Sequence, residues 1–219
     1  MDAGTEHDPR AAATAGRDER ILGAARRYVA ELAAGLAELP ELMGDDIVEV
    51  SEALLGCEGH VIVSGSGTSS AVARRLAHLL TVVGVPAFFL ASGDAVHGGS
   101  ATVTDRDALI AISKGGASDE LNVLATVARA AGAPVIAMTQ LPDSPLARLA
   151  NHVLCYRSPD ALDPGGHIAV GSSVYAAVIG DALCSAIVDL AGVDESRLLA
   201  IHPGGAVGKL LAATLDDPA

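Results

Sequence analysis

The sequence has 219 residues, 50% of them hydrophobic but only 2% aromatic, and a formal net charge of -13. That length suits one α/β domain with a substantial core, and the charge opposes attraction to nucleic acid or anionic lipid. No apolar run reaches the ~18 residues of a membrane span, and acids and arginines stand where a signal peptide would be apolar, so a soluble cytoplasmic protein is expected.

Two Phe, three Tyr and no Trp offer little for stacking on bases, and the core has to be built from Ala, Val, Leu and Gly. Helices can then approach their neighbours closely. Cys57, Cys155 and Cys184 are odd in number and far apart, which fits neither a disulfide framework nor a zinc cluster. They are read as buried free thiols.

Residues 1–19 mix charges, alanine and glycine without apolar periodicity and read as a disordered leader to a domain over 20–219. Ile21, Leu22, Ala25, Tyr28, Val29, Leu32 and Leu36 then recur at helical spacing, and a second helical pattern spans about 45–55. Strand candidates follow at 60–64, 86–90, 107–113, 134–138 and 152–156, with helical patterns after the first strand to about Val83 and at 118–131, 144–150 and 171–191. Near-continuous apolar strands separated by helices predict a five-stranded parallel sheet flanked on both faces, with ligands beyond the carboxyl ends of its strands.

Two loops stand out. GSGTSS (65–70) follows the first strand and SKGGASDE (113–120) follows the third, each running straight into a helix. Glycines such as Gly67 and Gly115 let the backbone approach a ligand. Helix-start amides attract an anion, and the hydroxyls of Thr68, Ser69, Ser70, Ser113 and Ser118 can donate to phosphate oxygens. Ordinary capping is the competing explanation, because Ser and Thr favour helix starts with or without a ligand. GSGTSS lacks the third glycine of the dinucleotide fingerprint and the lysine of a P-loop, which favours a small phosphorylated ligand over a nucleotide. The only two lysines are Lys114, inside the second loop, and Lys209, just after HPGG.

Across about residues 45–213 the sequence resembles the sugar isomerase (SIS) domain family, of the arabinose-5-phosphate isomerase type. The resemblance rests on VIVSGSGTSS, VPAFFLASGDAVHGG, ALIAISKGGASDEL, GSSVYAAVIGDAL and IHPGGAVGKLL. It implies a three-layer flavodoxin-like fold and a homodimer or homotetramer with sites at subunit interfaces; proton transfer beside a carbonyl would itself require no metal or organic cofactor. The paired CBS modules that often follow the domain are not in this sequence. Carried over position by position, phosphate would meet the hydroxyls of Ser113, Ser118, Thr68 and Ser69; Gly67, Gly115 and Ser172 are expected beside them, with Lys114 supplying local positive charge. His97 and His202 match the family's two histidines. Three positions depart from the pattern: the lysine of the first loop is Thr68 here, and glutamates are replaced by Ala117 and, at the expected place, Ala161.

Of the seven histidines, His97, His202 and His167 lie in glycine-rich loops, where reacting side chains are commonly displayed. His60, His78 and His152 fall on strand or helix candidates and read as structural. The functional expectation is an aldose-ketose isomerase of a phosphorylated sugar working through an enediolate, with His202 and His97 as the catalytic pair. The alternative is a non-catalytic sugar-phosphate sensing module that kept the loops and lost the reaction.

Overall fold

The computed structural model describes residues 9–192, 194–201, 205, 206, 208 and 209. Two helices open the domain, α1 (Pro9–Leu36) and α2 (Asp45–Leu55), joined by a short 3-10 turn at Leu39–Leu42. The strands are β1 (Val61–Gly65), β2 (Ala87–Phe89), β3 (Ala108–Ile112), β4 (Val135–Thr139) and β5 (His152–Cys155). Between and after them lie α3 (Thr68–Val82), α4 (Ser92–Ala95), α5 (Asp119–Ala131), α6 (Pro145–Leu149), α7 (Gly171–Ala191) and α8 (Glu195–Ile201). All pairings are parallel and the strand order is β2-β1-β3-β4-β5, the expected flavodoxin-like arrangement.

The three central strands are buried at every position, which explains their continuous apolar runs. Side chains still alternate between faces. Val61, Val63, Ile110, Ile112, Ile136 and Met138 meet Leu54 of α2, Leu76 and Leu80 of α3, and Ile179 and Leu183 of α7. On the opposite face Ile62, Leu109, Ala111, Val135 and Ala137 meet Leu121, Leu124 and Ala128 of α5 and Leu146 of α6. The small-residue composition is used where α3 crosses α7. A Cβ on Gly180 would sit 3.1 Å from Leu76 Cδ1, so glycine sets the spacing of that pair.

Three expectations need correction. The first helix starts at Pro9 rather than near Ile21 and so runs through most of the segment read as a leader; residues 1–8 lie outside the described residues. Ala, Arg and Glu between 9 and 20 favour helix by propensity without any apolar stripe, a signal that periodicity does not register. Second, α7 is long and apolar enough to cross a membrane by length and composition. Here it is a core helix instead: Tyr175, Ile179, Leu183 and Ile187 are buried, and its Asp181 pairs with Arg75 of α3. Third, all three cysteines are free, but Cys184 alone is buried; Cys57 is half-buried and Cys155 exposed. Burial, and next Asp181, pushes the Cys184 thiol up to about 11, so it stays protonated and unreactive near neutral pH.

Candidate functional site

Strand order reverses at β1, whose neighbours β2 and β3 lie on its two sides, and a crevice at such a point is where parallel sheets take ligands. Both glycine- and serine-rich loops leave the sheet there. Gly65, the last residue of β1, is paired with Ile112, the last residue of β3, so Ser66 and Ser113 follow adjacent strand ends. A Cβ on Gly65 would meet Ser69 O at 2.8 Å and Ile112 O at 3.1 Å. Glycine is needed at this position because the first turn of α3 folds back over the end of β1.

In the first loop Gly67 has φ 57° and precedes the first residue of α3. Its left-handed backbone turns the chain sharply from strand to helix. Ser66 Oγ lies 2.8 Å from Ser92 Oγ of α4, tying the loop to the segment that follows β2. The Ser70 hydroxyl is used internally, donating to Gly67 O at 2.7 Å. Thr68 is exposed and Ser69 half-buried, and among the described residues no side-chain cap closes the start of α3.

The second loop is more tightly built. Ser113 Oγ accepts from Gly116 N at 3.1 Å and lies 3.3 Å from Ser118 Oγ. Lys114 O accepts from Gln140 N at 3.0 Å and from Thr139 Oγ1 at 3.1 Å, so the loop after β4 braces it. Ser118 is the N-cap of α5, yet its side chain makes no capping bond. The capping explanation therefore fails at α5, while at α3 the N-cap is Gly67, which has no side chain to cap with. It does hold at α6, where Ser144 Oγ accepts from Ala147 N.

Gly116 has φ 60° and would, with a Cβ, collide with Ser144 Oγ and Cβ. Gly116→Ala combines a left-handed strain of about 1–2 kcal/mol with overpacking of about 1–3 kcal/mol. We expect a loss of about 2–5 kcal/mol in chemical denaturation, together with loss of the Ser144 cap. An unchanged midpoint would show that the loop after β4 gives way freely.

Lys114, expected beside phosphate, reaches away from the loop. Its Nζ lies 2.7 Å from Asp163 Oδ2, and the Asp163 side chain is 1% exposed. Asp163 Oδ1 accepts from Ser172 N at 2.9 Å, so Ser172, also expected at phosphate, is buried at the start of α7 and engaged by its backbone. Burial pulls the Asp163 carboxyl upward, but the bonds from Lys114 and Ser172 outweigh it and hold the group below the usual carboxylate range. A depressed folded pKa means that this carboxylate stabilises the protein above the unfolded value near ~4, and that the contribution is lost as pH falls through the folded value. Asp163→Asn should accordingly flatten the acid limb of stability against pH, and an identical limb in both proteins would refute that role.

His97 is exposed in the turn after α4, immediately before Gly98 with φ 105°. The turn follows β2, so it lies toward the carboxyl edge of the sheet, as do the two loops. His167 is exposed in the segment between β5 and α7. His202 lies outside the described residues. The helix before it, α8, is anchored by a residue that sequence reasoning missed. Arg197 donates to Thr81 O at 3.0 Å and to Val82 O at 3.4 Å, placing a cation on the carboxyl end of α3, where the helix dipole favours it.

This parallel sheet, with two glycine- and serine-rich loops at its reversal point, defines a flavodoxin-like α/β domain with a candidate anion site. The chain belongs to the SIS domain family, whose model matches residues 54–179. Among its relatives is arabinose 5-phosphate isomerase KdsD of Escherichia coli K12, 34% identical over 182 residues, which are 83% of this chain and 56% of KdsD. The chain thus spans little more than half the length of such curated relatives. A crystal structure from Listeria monocytogenes, of a candidate sugar-phosphate isomerase, superposes with TM-score 0.78 at 30% identity, covering 85% of this chain and 98% of that one. An E. coli CFT073 structure in complex with a sugar phosphate reaches the same TM-score, 0.78, at 24% identity, over 84% of this chain and 98% of that one, and establishes likeness of fold.

Proposed function

We propose that this domain binds a phosphorylated sugar at the carboxyl ends of β1 and β3 and interconverts its aldose and ketose forms. The observation that carries the reading is the pair of uncapped helix starts on adjacent strand ends, each supplied with glycine and hydroxyl or amide donors. The phosphate would take Gly67, Thr68 and Ser69 from the first loop and Ser113, Gly115 and Ser118 from the second. The name of the curated relatives, arabinose 5-phosphate isomerase, and the sugar phosphate bound in the E. coli CFT073 structure make a pentose phosphate the first substrate to try.

The chemistry needs a proton taken from the carbon beside the carbonyl and returned to its neighbour through an enediolate. His202 is the proposed acid-base group, with His97 as its companion at the rim. An imidazole titrates near neutrality, and the family's carboxylates are absent at Ala117 and Ala161. Those same absences support the second reading, a sensing module that binds without turnover.

A thermal-shift panel of C4 to C7 sugar phosphates tests binding. A ligand at ~100 times its dissociation constant stabilises by about 2.7 kcal/mol, enough to raise the melting temperature by several degrees. A flat panel would remove the reading.

A homo-oligomer is part of the proposal. Ile21, Leu22 and Val29 of α1 are 55%, 53% and 62% exposed, an apolar stripe suited to a second copy of the chain. Light scattering at micromolar concentration is expected to report a dimer or tetramer, and a monomer would contradict it.

A further inference from the structure

We propose that Lys114 is the internal counter-ion of Asp163 and not a ligand of the phosphate, so that the second loop presents a dianion only with neutral donors. The inference rests on the phosphate-binding reading above.

Its basis is geometric. Lys114 sits between Ser113 and Gly115 in the middle of the loop, yet its ammonium is 2.7 Å from Asp163 Oδ2. Asp163 comes from the segment between β5 and α7, 49 residues away in the chain. Its side chain is 1% exposed, whereas that of Lys114 is 36% exposed. The second Asp163 oxygen is occupied by Ser172 N, so this carboxylate, closed off from bulk solvent, depends on the lysine for its neutralising charge. An anion buried within one lysine side chain of the phosphate loop would repel a phosphate dianion, and burial strengthens that repulsion. Lys114 removes it. Movement of the ammonium to a phosphate would uncover the buried carboxylate, and breaking one side of a buried pair is strongly unfavourable.

The loop itself makes the lysine dispensable as a ligand. Ser113 and Ser118 hydroxyls stand 3.3 Å apart, and the uncapped α5 start adds amides. The first turn of α5 also carries Asp119 and Glu120, so the loop cannot accept a further unbalanced negative charge without weakening its hold on an anion.

The test is a double-mutant cycle read by isothermal titration with arabinose 5-phosphate and with inorganic phosphate. Lys114→Met exposes the Asp163 charge and should weaken both by about tenfold or more. Lys114→Met combined with Asp163→Asn should return affinity to within about threefold of wild type. Asparagine can still accept from Ser172 N, and the buried charge is gone. Lys114→Arg should keep affinity, because a guanidinium also pairs with a carboxylate. If Lys114 binds phosphate directly, the double variant will stay as weak as Lys114→Met, and that result overturns the inference.

A ligand-free arm separates this inference from the functional reading. The melting temperature of Lys114→Met should fall and be recovered when Asp163→Asn is added. Absence of that recovery overturns the inference whatever binds. Failure of the wild type to bind either probe, with the recovery intact, counts against the functional reading and leaves Lys114 the counter-ion of Asp163.

Discussion

Alanine at both Ser113 and Ser118 is expected to weaken binding of a phosphorylated sugar by at least about a hundredfold. Each hydroxyl would donate to a charged oxygen, worth roughly 1.5–3 kcal/mol, and about 1.4 kcal/mol is a factor of ten. The two side chains are neighbours at 3.3 Å, so their effects need not add, and a hundredfold is the conservative figure. Ser113 Oγ also accepts from Gly116 N. Some loss of stability will therefore accompany the loss of affinity, and a melting curve of the unliganded variant measures it separately. Titration calorimetry on the double variant gives the binding effect, and a change smaller than about threefold would place the phosphate elsewhere.

The second large effect concerns turnover. Replacing His202 with asparagine should lower kcat by about 10² to 10⁴, the usual worth of a positioned general acid-base group, with KM little changed. If His202 only hydrogen-bonds a sugar hydroxyl, KM will rise instead and kcat will hold. Asparagine keeps a donor and an acceptor but cannot take up a proton near neutral pH, which is why it separates the two roles better than alanine.

Most of the fold was legible because the β-sheet is buried on both faces. VIVSG, ALIAI and VIAMT become continuous apolar runs only when helices cover them on each side, and the bounds predicted for α2 and α7 coincide with those observed. The N-terminal reach of α1 was not legible. Its first residues carry helix propensity without an apolar stripe, so periodicity has nothing to register there. The 3-10 turns at 99–102, 160–162 and 164–166 were also missed. They are set by local glycine and proline geometry inside segments that read simply as loops.

Within the site, the sequence puts both loops at the carboxyl end of a parallel sheet, as the structure does, whereas their adjacency follows from the pairing of β1 with β3, which the sequence does not announce. It did not reveal where individual side chains turn. Lys114 reads as a phosphate cation until Asp163, 49 positions on, is brought beside it by the closing of the β5 to α7 segment. Ser172 reads as a hydroxyl at a helix start, whereas its backbone amide is the group that does the binding. Neither fact has a local sequence signal, since both depend on a contact between distant loops. Arg197 belongs with them: nothing in its local sequence shows that it fastens α8 to the end of α3.

Isomerisation requires a sugar phosphate bound between these loops to exchange a proton at C2. It is tested most directly by incubating the protein with arabinose 5-phosphate in D₂O and following the C2 proton by NMR. The expected result is that the C2 signal disappears as the ketose phosphate forms, and that both changes are slowed by about 10² to 10⁴ in the His202→Asn variant. A protein that binds the sugar phosphate yet leaves C2 unexchanged would contradict isomerisation and leave the sensing module as the function.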